Sequence, residues 1–184
     1  MTRIPTPISI EASPAASQRF LEAVKKQLGS VPNLFRMVGN SPAALEGYLS
    51  LNGALAKGKL DAKTRERIAL AVAQVNGCNY CLAAHTYLGK NLAKLDDAEI
   101  AANRDGGSND AKAGAAVHFA AKVAAAKGHV ADSDLQAVKT AGYNDDEIIE
   151  IVVHVALNTL TNYINNVTGT EIDFPVVAVA KKAA

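Results

Sequence analysis

The hydrophobic pattern along the chain is helical almost throughout. Alanine is abundant, and no stretch shows a sustained alternation of apolar and polar residues between hairpin turns. The segment from Ile68 to Ala73 is apolar on nearly every face, so the helix that contains it must be buried. We therefore predict an all-α protein, a multi-helix bundle of eight or nine helices joined by short loops.

Start and stop signals place these helices along the chain. Ser41, Asp61 and Asp96 are typical N-cap residues, and glycine or proline separates many of the segments. The predicted helices cover residues 14–26, 34–38, 42–56, 62–75, about 78–92, 97–103, 110–127, 132–140 and 144 or 145 to about 165. Residues 1–12 form an irregular lead, and the loop 104–109 has an ordinary length. We expect one domain over residues 1–184, with its core motif at about 61–92.

Composition and charge are those of an ordinary soluble globular protein. Of the 184 residues, 49% are hydrophobic and 20% are charged, and the formal net charge is +1. These values exclude a disordered chain and make nucleic acid an unexpected partner. The first residues lack the apolar run of a signal peptide, and no stretch approaches the length of a membrane span. We expect a cytoplasmic protein that does not contact a membrane.

Both cysteines of the chain, Cys78 and Cys81, stand in one turn, and His85 follows four residues later. On a helix that begins near Cys78, the two sulfurs and His85 lie on one face. Glu66 precedes Gly77 by eleven residues, and His85 follows it by eight. If the two flanking helices run antiparallel, Glu66 and His85 lie at similar heights and can meet directly or through one water.

These residue types suit thiol redox chemistry. The thiolate is the nucleophile, and a helix N-terminus or a nearby imidazolium favours it over the thiol. His85 lies one turn after Cys81 and can take the thiol proton, while Glu66 behind it would fix the tautomer. Once one sulfur is oxidised to sulfenic acid, the other can condense with it to a disulfide. The pattern therefore predicts the reduction of a peroxide.

Other interpretations of the cysteines stay open. A CxxC pair is half of a zinc site, but a Cys2His2 site would need His85 and one of the distant His118, His129 or His154. In that case the protein would be a non-catalytic helical scaffold with a zinc-clamped CxxC. Alternatively, both thiols are unreactive and buried, as free cysteines often are. Glu66, taken alone, would be a solvated acid near a helix start.

The last predicted helix is deeply apolar but carries one mostly polar stripe. Its members recur at helical spacing: Glu147, Glu150 or Ile151, His154, Asn158, and Thr161 or Asn162. Buried polar groups need partners, so the stripe predicts a network between helices or between subunits. The alternative is that His154 and Asn158 line the pocket of the thiols.

The spacing from Glu66 through the cysteines to His85 resembles the E-x11-C-x2-C-x3-H signature of alkylhydroperoxidase D-like proteins, in the carboxymuconolactone decarboxylase superfamily. Segments 29–35, 60–66 and 158–163 also resemble the peroxidase-related branch, so the similarity covers most of residues 28–165. The resemblance implies an all-helical fold and a homo-oligomer, a trimer or a hexamer. It also implies an antioxidant reduction of hydroperoxides without cofactor or metal, in which a protein or lipoyl dithiol restores the enzyme.

The resemblance also bears on the roles of single residues. Cys81 is favoured as the peroxidatic sulfur by its spacing from His85, and Cys78 by its place at the helix start. We predict Cys81 as peroxidatic and Cys78 as resolving, with His85 and Glu66 as a proton relay. Tyr80 departs from the best-known members, which carry a histidine there. Members of the superfamily that decarboxylate carboxymuconolactone lack the cysteine pair, so the pair argues against that activity here. The alternative enzyme is a dithiol-disulfide oxidoreductase that acts on protein or lipoyl thiols.

Overall fold

The computed structural model describes residues 2–177; Met1 and residues 178–184 of the predicted domain lie outside the described residues. Between residues 2 and 177 the chain forms nine α-helices and no strand, which confirms the predicted all-α class. The helices are α1 (Ala15–Leu28), α2 (Asn33–Val38), α3 (Pro42–Leu55), α4 (Ala62–Val75), α5 (Asn79–Asn91), α6 (Asp97–Arg104), α7 (Ala111–Ala125), α8 (Asp132–Thr140) and α9 (Asp145–Thr168).

The three predicted N-caps are confirmed. The side chains of Ser41, Asp61 and Asp96 each accept a hydrogen bond from a backbone N–H in the first turn of the helix that follows. Asp110, predicted as the first residue of its helix, is instead the N-cap of α7, and accepts from the N–H of Ala113. A helix therefore begins one residue after its capping side chain.

The last helix is longer than predicted. α9 continues to Thr168, three residues past the expected end, and stops at Gly169, whose φ of 64° lies in the left-handed region. Glycine adopts that conformation without the steric cost that a Cβ brings, so it is a common helix terminator. The extra turn brings Asn165 fully into the helix, which matters for the site described below.

α4 lies at the centre of the bundle because its segment from Ile68 to Ala73 is apolar on nearly every face and is buried. Leu70 and Ala73 pack into a cluster that includes both cysteines and Leu82 of α5. Ile68 and Val72 face a second cluster, built with α7 and α9. α4 therefore holds α5 and α9 in fixed positions around it, and these helices carry the predicted site residues.

A buried polar network joins α4, α6 and the loop before α7. Nε of Arg67 donates to Oε1 of Glu99 at 2.6 Å, and the same carboxylate accepts from Ser108, Asn103 and the N–H of Asn109. Burial alone would raise the pKa of Glu99, but these hydrogen bonds lower it to about 2. Glu99 is thus an ionised buried carboxylate whose partners come from three parts of the chain.

None of the helices between residues 2 and 177 has the length and apolar character that crossing a membrane would require.

Candidate active site

The two cysteines lie at the start of α5. Cys78 is the N-cap, and its Sγ accepts a hydrogen bond from the N–H of Cys81 at 3.2 Å. The two side chains are joined in a disulfide, with 5.3 Å between the Cα atoms. Cys78 is fully buried, and Cys81 is 3% exposed. The structure therefore shows the oxidised form of a CxxC pair.

Only one of the two cysteines lines a cavity. A cavity of about 450 Å³ is lined by Cys81 but not by Cys78. Its walls come from α1 to α5, from α9 and from the segment after α9, and most of the wall residues are apolar. A molecule that enters this cavity therefore reaches Cys81 first.

Glu66 and His85 meet in the same cavity. α4 and α5 are linked by a tight turn at Gly77, whose φ of 64° lies in the left-handed region. Across this turn Oε2 of Glu66 and Nδ1 of His85 are 2.8 Å apart, the direct contact that the sequence allowed. A carboxylate can only accept, so Nδ1 carries the proton of this bond and Nε2 is left with the lone pair of a base.

Asn165 is a site residue that the sequence reasoning missed. Its Nδ2 donates to Sγ of Cys81 at 3.3 Å, and the side chain is buried. The residue continues the polar stripe of α9, since it lies four residues after Thr161 and seven after Asn158. The polar stripe could therefore have indicated Asn165. It did not, because the helix was expected to end at about this residue.

Replacing Asn165 by leucine is expected to make the Cys81 thiolate harder to form. An amide donor stabilises a thiolate more than a thiol, and a hydrogen bond to a charged group is worth about 1.5–3 kcal/mol. In the reduced Asn165→Leu variant, thiolate absorbance at 240 nm should therefore rise at a pH about one unit higher than in the reduced wild type. Asn166→Leu, at an exposed neighbour whose amide binds the carbonyl of Asn76, is the matched control. Identical titrations for the two variants would contradict a role of Asn165 at the sulfur.

Tyr80, the residue between the cysteines, holds the end of the described chain. Its hydroxyl accepts from the N–H of Leu34 at 3.0 Å and donates to Oδ1 of Asp173 at 2.9 Å. Its ring lines the cavity and meets Phe174 edge to face, with centroids 5.9 Å apart. Burial raises the pKa of Tyr80 above its usual range. The hydroxyl therefore stays protonated and is engaged in fixing the segment after α9.

Tyr48 of α3 also lines the cavity, and nothing in its local sequence singled it out. Burial, and then the negative charge of Glu66, raise the pKa of its hydroxyl to about 12. Tyr48 is thus a protonated group on the cavity wall that feels the charge of Glu66.

The polar stripe of α9 divides between two surroundings. Asn162 accepts from Nδ2 of Asn76 at 2.9 Å, and Glu150 accepts from the N–H groups of Lys59 and Leu60. These members form the predicted network between helices. His154 and Asn158 instead line the cavity, as the alternative interpretation held.

His154 is the most unusual member of the stripe. It is only 4% exposed, and its Nε2 has no hydrogen-bond partner among residues 2–177. Burial, followed by the positive charge of Arg65, lowers the pKa of His154 to about 4. The ring is therefore neutral at physiological pH, and one of its polar atoms is left for something that enters the cavity.

In the described part of the chain, no three or more histidine, cysteine, aspartate or glutamate side chains are grouped so that they could hold a metal ion. His118, one of the distant histidines that the zinc alternative considers, is exposed on α7.

Comparison with known protein families and structures gives a consistent result. Residues 42–126 match the model of the carboxymuconolactone decarboxylase family. An uncharacterized protein of Haemophilus influenzae is 44% identical over 63 residues, which are 34% of this chain and 50% of that protein. The chain thus spans about half the length of the curated relative that it matches.

Two solved structures extend the similarity over nearly the whole chain. An uncharacterized peroxidase-related protein from Ralstonia eutropha JMP134, described as an alkylhydroperoxidase AhpD core, has a TM-score of 0.82 at 27% identity. The match covers 94% of this chain and 92% of that one. An uncharacterized peroxidase-related protein from Silicibacter sp. TM1040 has a TM-score of 0.79 at 25% identity, with 92% and 91% of the two chains covered.

Proposed function

We propose that the chain is an alkylhydroperoxidase D-like member of the carboxymuconolactone decarboxylase superfamily, and that it is a thiol-dependent peroxidase that reduces hydroperoxides. The observation that carries this proposal is a disulfide-bonded CxxC pair whose Cys81 shares one cavity with a hydrogen-bonded Glu66 and His85. The chemistry needs a sulfur that cycles between dithiol and disulfide, a base beside it and room for a substrate, and these residues supply all three.

The proposed cycle begins with the dithiol. Nε2 of His85 takes the proton of Cys81, and the thiolate attacks the terminal oxygen of the hydroperoxide. The O–O bond breaks, the alkoxide takes the proton from His85 and leaves as an alcohol, and Cys81 becomes a sulfenic acid. The thiol of Cys78 then attacks the sulfur of Cys81, which forms the disulfide and releases water. Glu66 keeps the imidazole oriented throughout and stabilises its cationic form.

An external dithiol closes the cycle. It reduces the disulfide by thiol exchange, and the net reaction converts a hydroperoxide and a dithiol into an alcohol, water and a new disulfide. We propose a protein or lipoyl dithiol as the donor and the cytoplasm, which is reducing, as the compartment. Both sulfurs are almost completely buried, so the donor's thiol must enter the cavity that Cys81 lines.

An assay of dithiol-dependent loss of an organic hydroperoxide tests the proposal. Several dithiol donors are compared, because the natural one is a separate question. We expect His85→Ala to lower kcat/KM about a hundredfold, because general acid-base catalysis contributes roughly that much or more. Glu66→Gln should cause a smaller loss, since the ring stays in place but its cation is less stabilised. His118→Ala, at the exposed histidine of α7, is the matched control and should behave like the wild type.

The same assay, together with a disulfide-exchange assay and a zinc determination, separates the alternatives. A dithiol-disulfide oxidoreductase would exchange disulfides with protein or lipoyl thiols at a rate that peroxide does not change. A zinc-clamped scaffold would carry stoichiometric zinc when purified without chelator and would show no thiol cycling. Full hydroperoxide turnover by His85→Ala would contradict the proposed proton relay.

We also propose a homo-oligomer, a trimer or a hexamer. One face of α9 exposes a row of apolar side chains at helical spacing: Ile149, Val152, Leu160, Tyr163 and Val167. Large exposed apolar patches mark interaction surfaces more often than free surface, and this row extends over most of a long helix. A solution mass equal to that of one chain, measured by light scattering, would contradict the oligomer.

A further inference from the structure

Two groups of residues that line the cavity differ in their chemistry. The first contains Cys81, which accepts a hydrogen bond from Asn165 of α9. His154 lies eleven residues earlier on the same helix, which at 1.5 Å per residue is about 16 Å along the helix axis. The wall between these two positions on α9 includes Leu157, the facing helices add other apolar side chains, and Glu66 and His85 line the same cavity. The cavity therefore extends along α9 from the thiol to a second group of polar residues, at His154 and Arg65.

This second group of polar residues includes hydrogen-bonding atoms that have no partner within the described chain. Nε2 of His154 is buried and has no partner within the described chain. Arg65 of α4 also lines the cavity, and after burial its positive charge is the next cause that lowers the pKa of His154, against the smaller opposing effects of Glu150 and Glu66. Nη1 of Arg65 donates to the carbonyls of Ala56 and Leu60, whereas no hydrogen bond from its Nε or Nη2 to a described residue is seen. Arg65 and the buried, unpartnered nitrogen of His154 thus line the same cavity.

The type of ligand follows from these groups. A guanidinium with donors to spare matches the two oxygens of a carboxylate, and a neutral imidazole can add one N–H. Glu66 is the single carboxylate among the described lining residues, and it is already bonded to His85. A buried polar atom without a partner costs free energy, which a ligand oxygen in its place would recover. The volume of about 450 Å³ is in the range of pockets for organic ligands, and far larger than hydrogen peroxide needs.

We propose that Arg65 and His154 form a subsite for the carboxylate head of a long, apolar ligand whose other end reaches Cys81. This inference rests on the proposed function in one respect: the substrate would be an organic hydroperoxide whose apolar chain ends in a carboxylate. Asn158, whose Nδ2 donates to the carbonyl of His154 at 2.8 Å within α9, lines the same wall.

Calorimetric titration of the full chain with decanoate and with 1-decanol tests the subsite without any peroxide. The two ligands share their apolar chain and differ at the head. We expect decanoate to bind about tenfold more tightly or better, because charge-assisted hydrogen bonds contribute roughly 1.5–3 kcal/mol. His154→Leu and Arg65→Gln should each reduce that preference at least severalfold. His118→Leu, the same substitution at the exposed histidine of α7, should leave it unchanged.

Two results would overturn the subsite: equal binding of the two ligands by the wild type, or a preference for decanoate that survives both variants. If His154→Leu does not fold, judged by its thermal transition, Arg65→Gln decides alone, because Arg65 is partly exposed. Failure of the subsite is distinguishable from failure of the proposed function. If the protein prefers decanoate but reduces no hydroperoxide, the subsite stands and the proposed peroxidase function is wrong. If it reduces hydroperoxides but shows no preference for decanoate, the function stands and the subsite is wrong.

Discussion

Replacing Cys81 by serine is expected to lower hydroperoxide turnover by at least about a thousandfold, since removal of a covalent nucleophile is among the most damaging changes to an enzyme. Cys81 lines the cavity, accepts a hydrogen bond from Asn165 and lies one helical turn from His85. A serine hydroxyl at this position would stay protonated and would not reduce a peroxide. The measurement is dithiol-dependent loss of an organic hydroperoxide, and full activity in Cys81→Ser would refute the mechanism.

Cys78→Ser is the informative partner of that variant. Serine is a good N-cap, so the start of α5 should be preserved. Steady turnover should again be lost, but one equivalent of hydroperoxide should still be reduced, and a sulfenic acid should accumulate on Cys81. A dimedone adduct located by mass spectrometry reports that species. An adduct that forms in Cys81→Ser but not in Cys78→Ser would exchange the roles of the two cysteines.

The second large effect concerns stability. Glu99→Gln keeps the shape of the side chain but removes the charge that compensates Arg67, whose own side chain is only 12% exposed. Breaking a buried ion pair from one side costs about 3–5 kcal/mol, so the melting temperature should fall by roughly 10 °C. Asp97→Asn is the matched control on the same helix, because Asp97 is 81% exposed and its pair with Lys90 should contribute little. Equal melting temperatures for the two variants would show that the network around Glu99 adds no stability.

The same network predicts a pH dependence. The pKa of Glu99 is about 2 in the folded protein, below the value of about 4.3 for a free glutamate. The folded state therefore binds the Glu99 proton less tightly than the unfolded state does. The stabilisation is complete above the unfolded pKa and is lost as the pH falls from about 4 towards 2. Denaturant unfolding of the wild type should show this loss over that interval, and Glu99→Gln should show less of it.

The sequence predicted most of the fold because the signals are local. N-cap residues, glycine stops and helical spacing lie within a few positions of the features that they determine, so the helix bounds agree closely. The closeness of Glu66 to His85 and of Cys78 to Cys81 was predicted for the same reason, since one helix, one tight turn and one further helix bring these residues together.

The residues that were missed come from distant parts of the chain. Asn165 reaches Cys81 across 84 positions, and Asp173 reaches Tyr80 across 93. Tyr48 comes to the cavity from α3, and the packing of separate helices brings it there. Such contacts depend on how helices pack around α4, which no local pattern encodes. The polar stripe of α9 could be seen in the sequence, but its division between network and cavity could not.

The cavity is built from stretches inside the family match and stretches outside it, and the hydrogen bond from Tyr80 to Asp173 joins one to the other. The groups proposed to do the chemistry lie between residues 66 and 85, inside the family match of residues 42–126. Much of the remaining wall, including Leu34, His154 and Phe174, lies outside that match. Most of the groups proposed for the chemistry thus lie inside the family match, with Asn165 outside it, and much of the cavity wall lies outside it, with Arg65 inside it. Substitutions in the outer stretches are therefore expected to change the cavity wall more than the thiol centre.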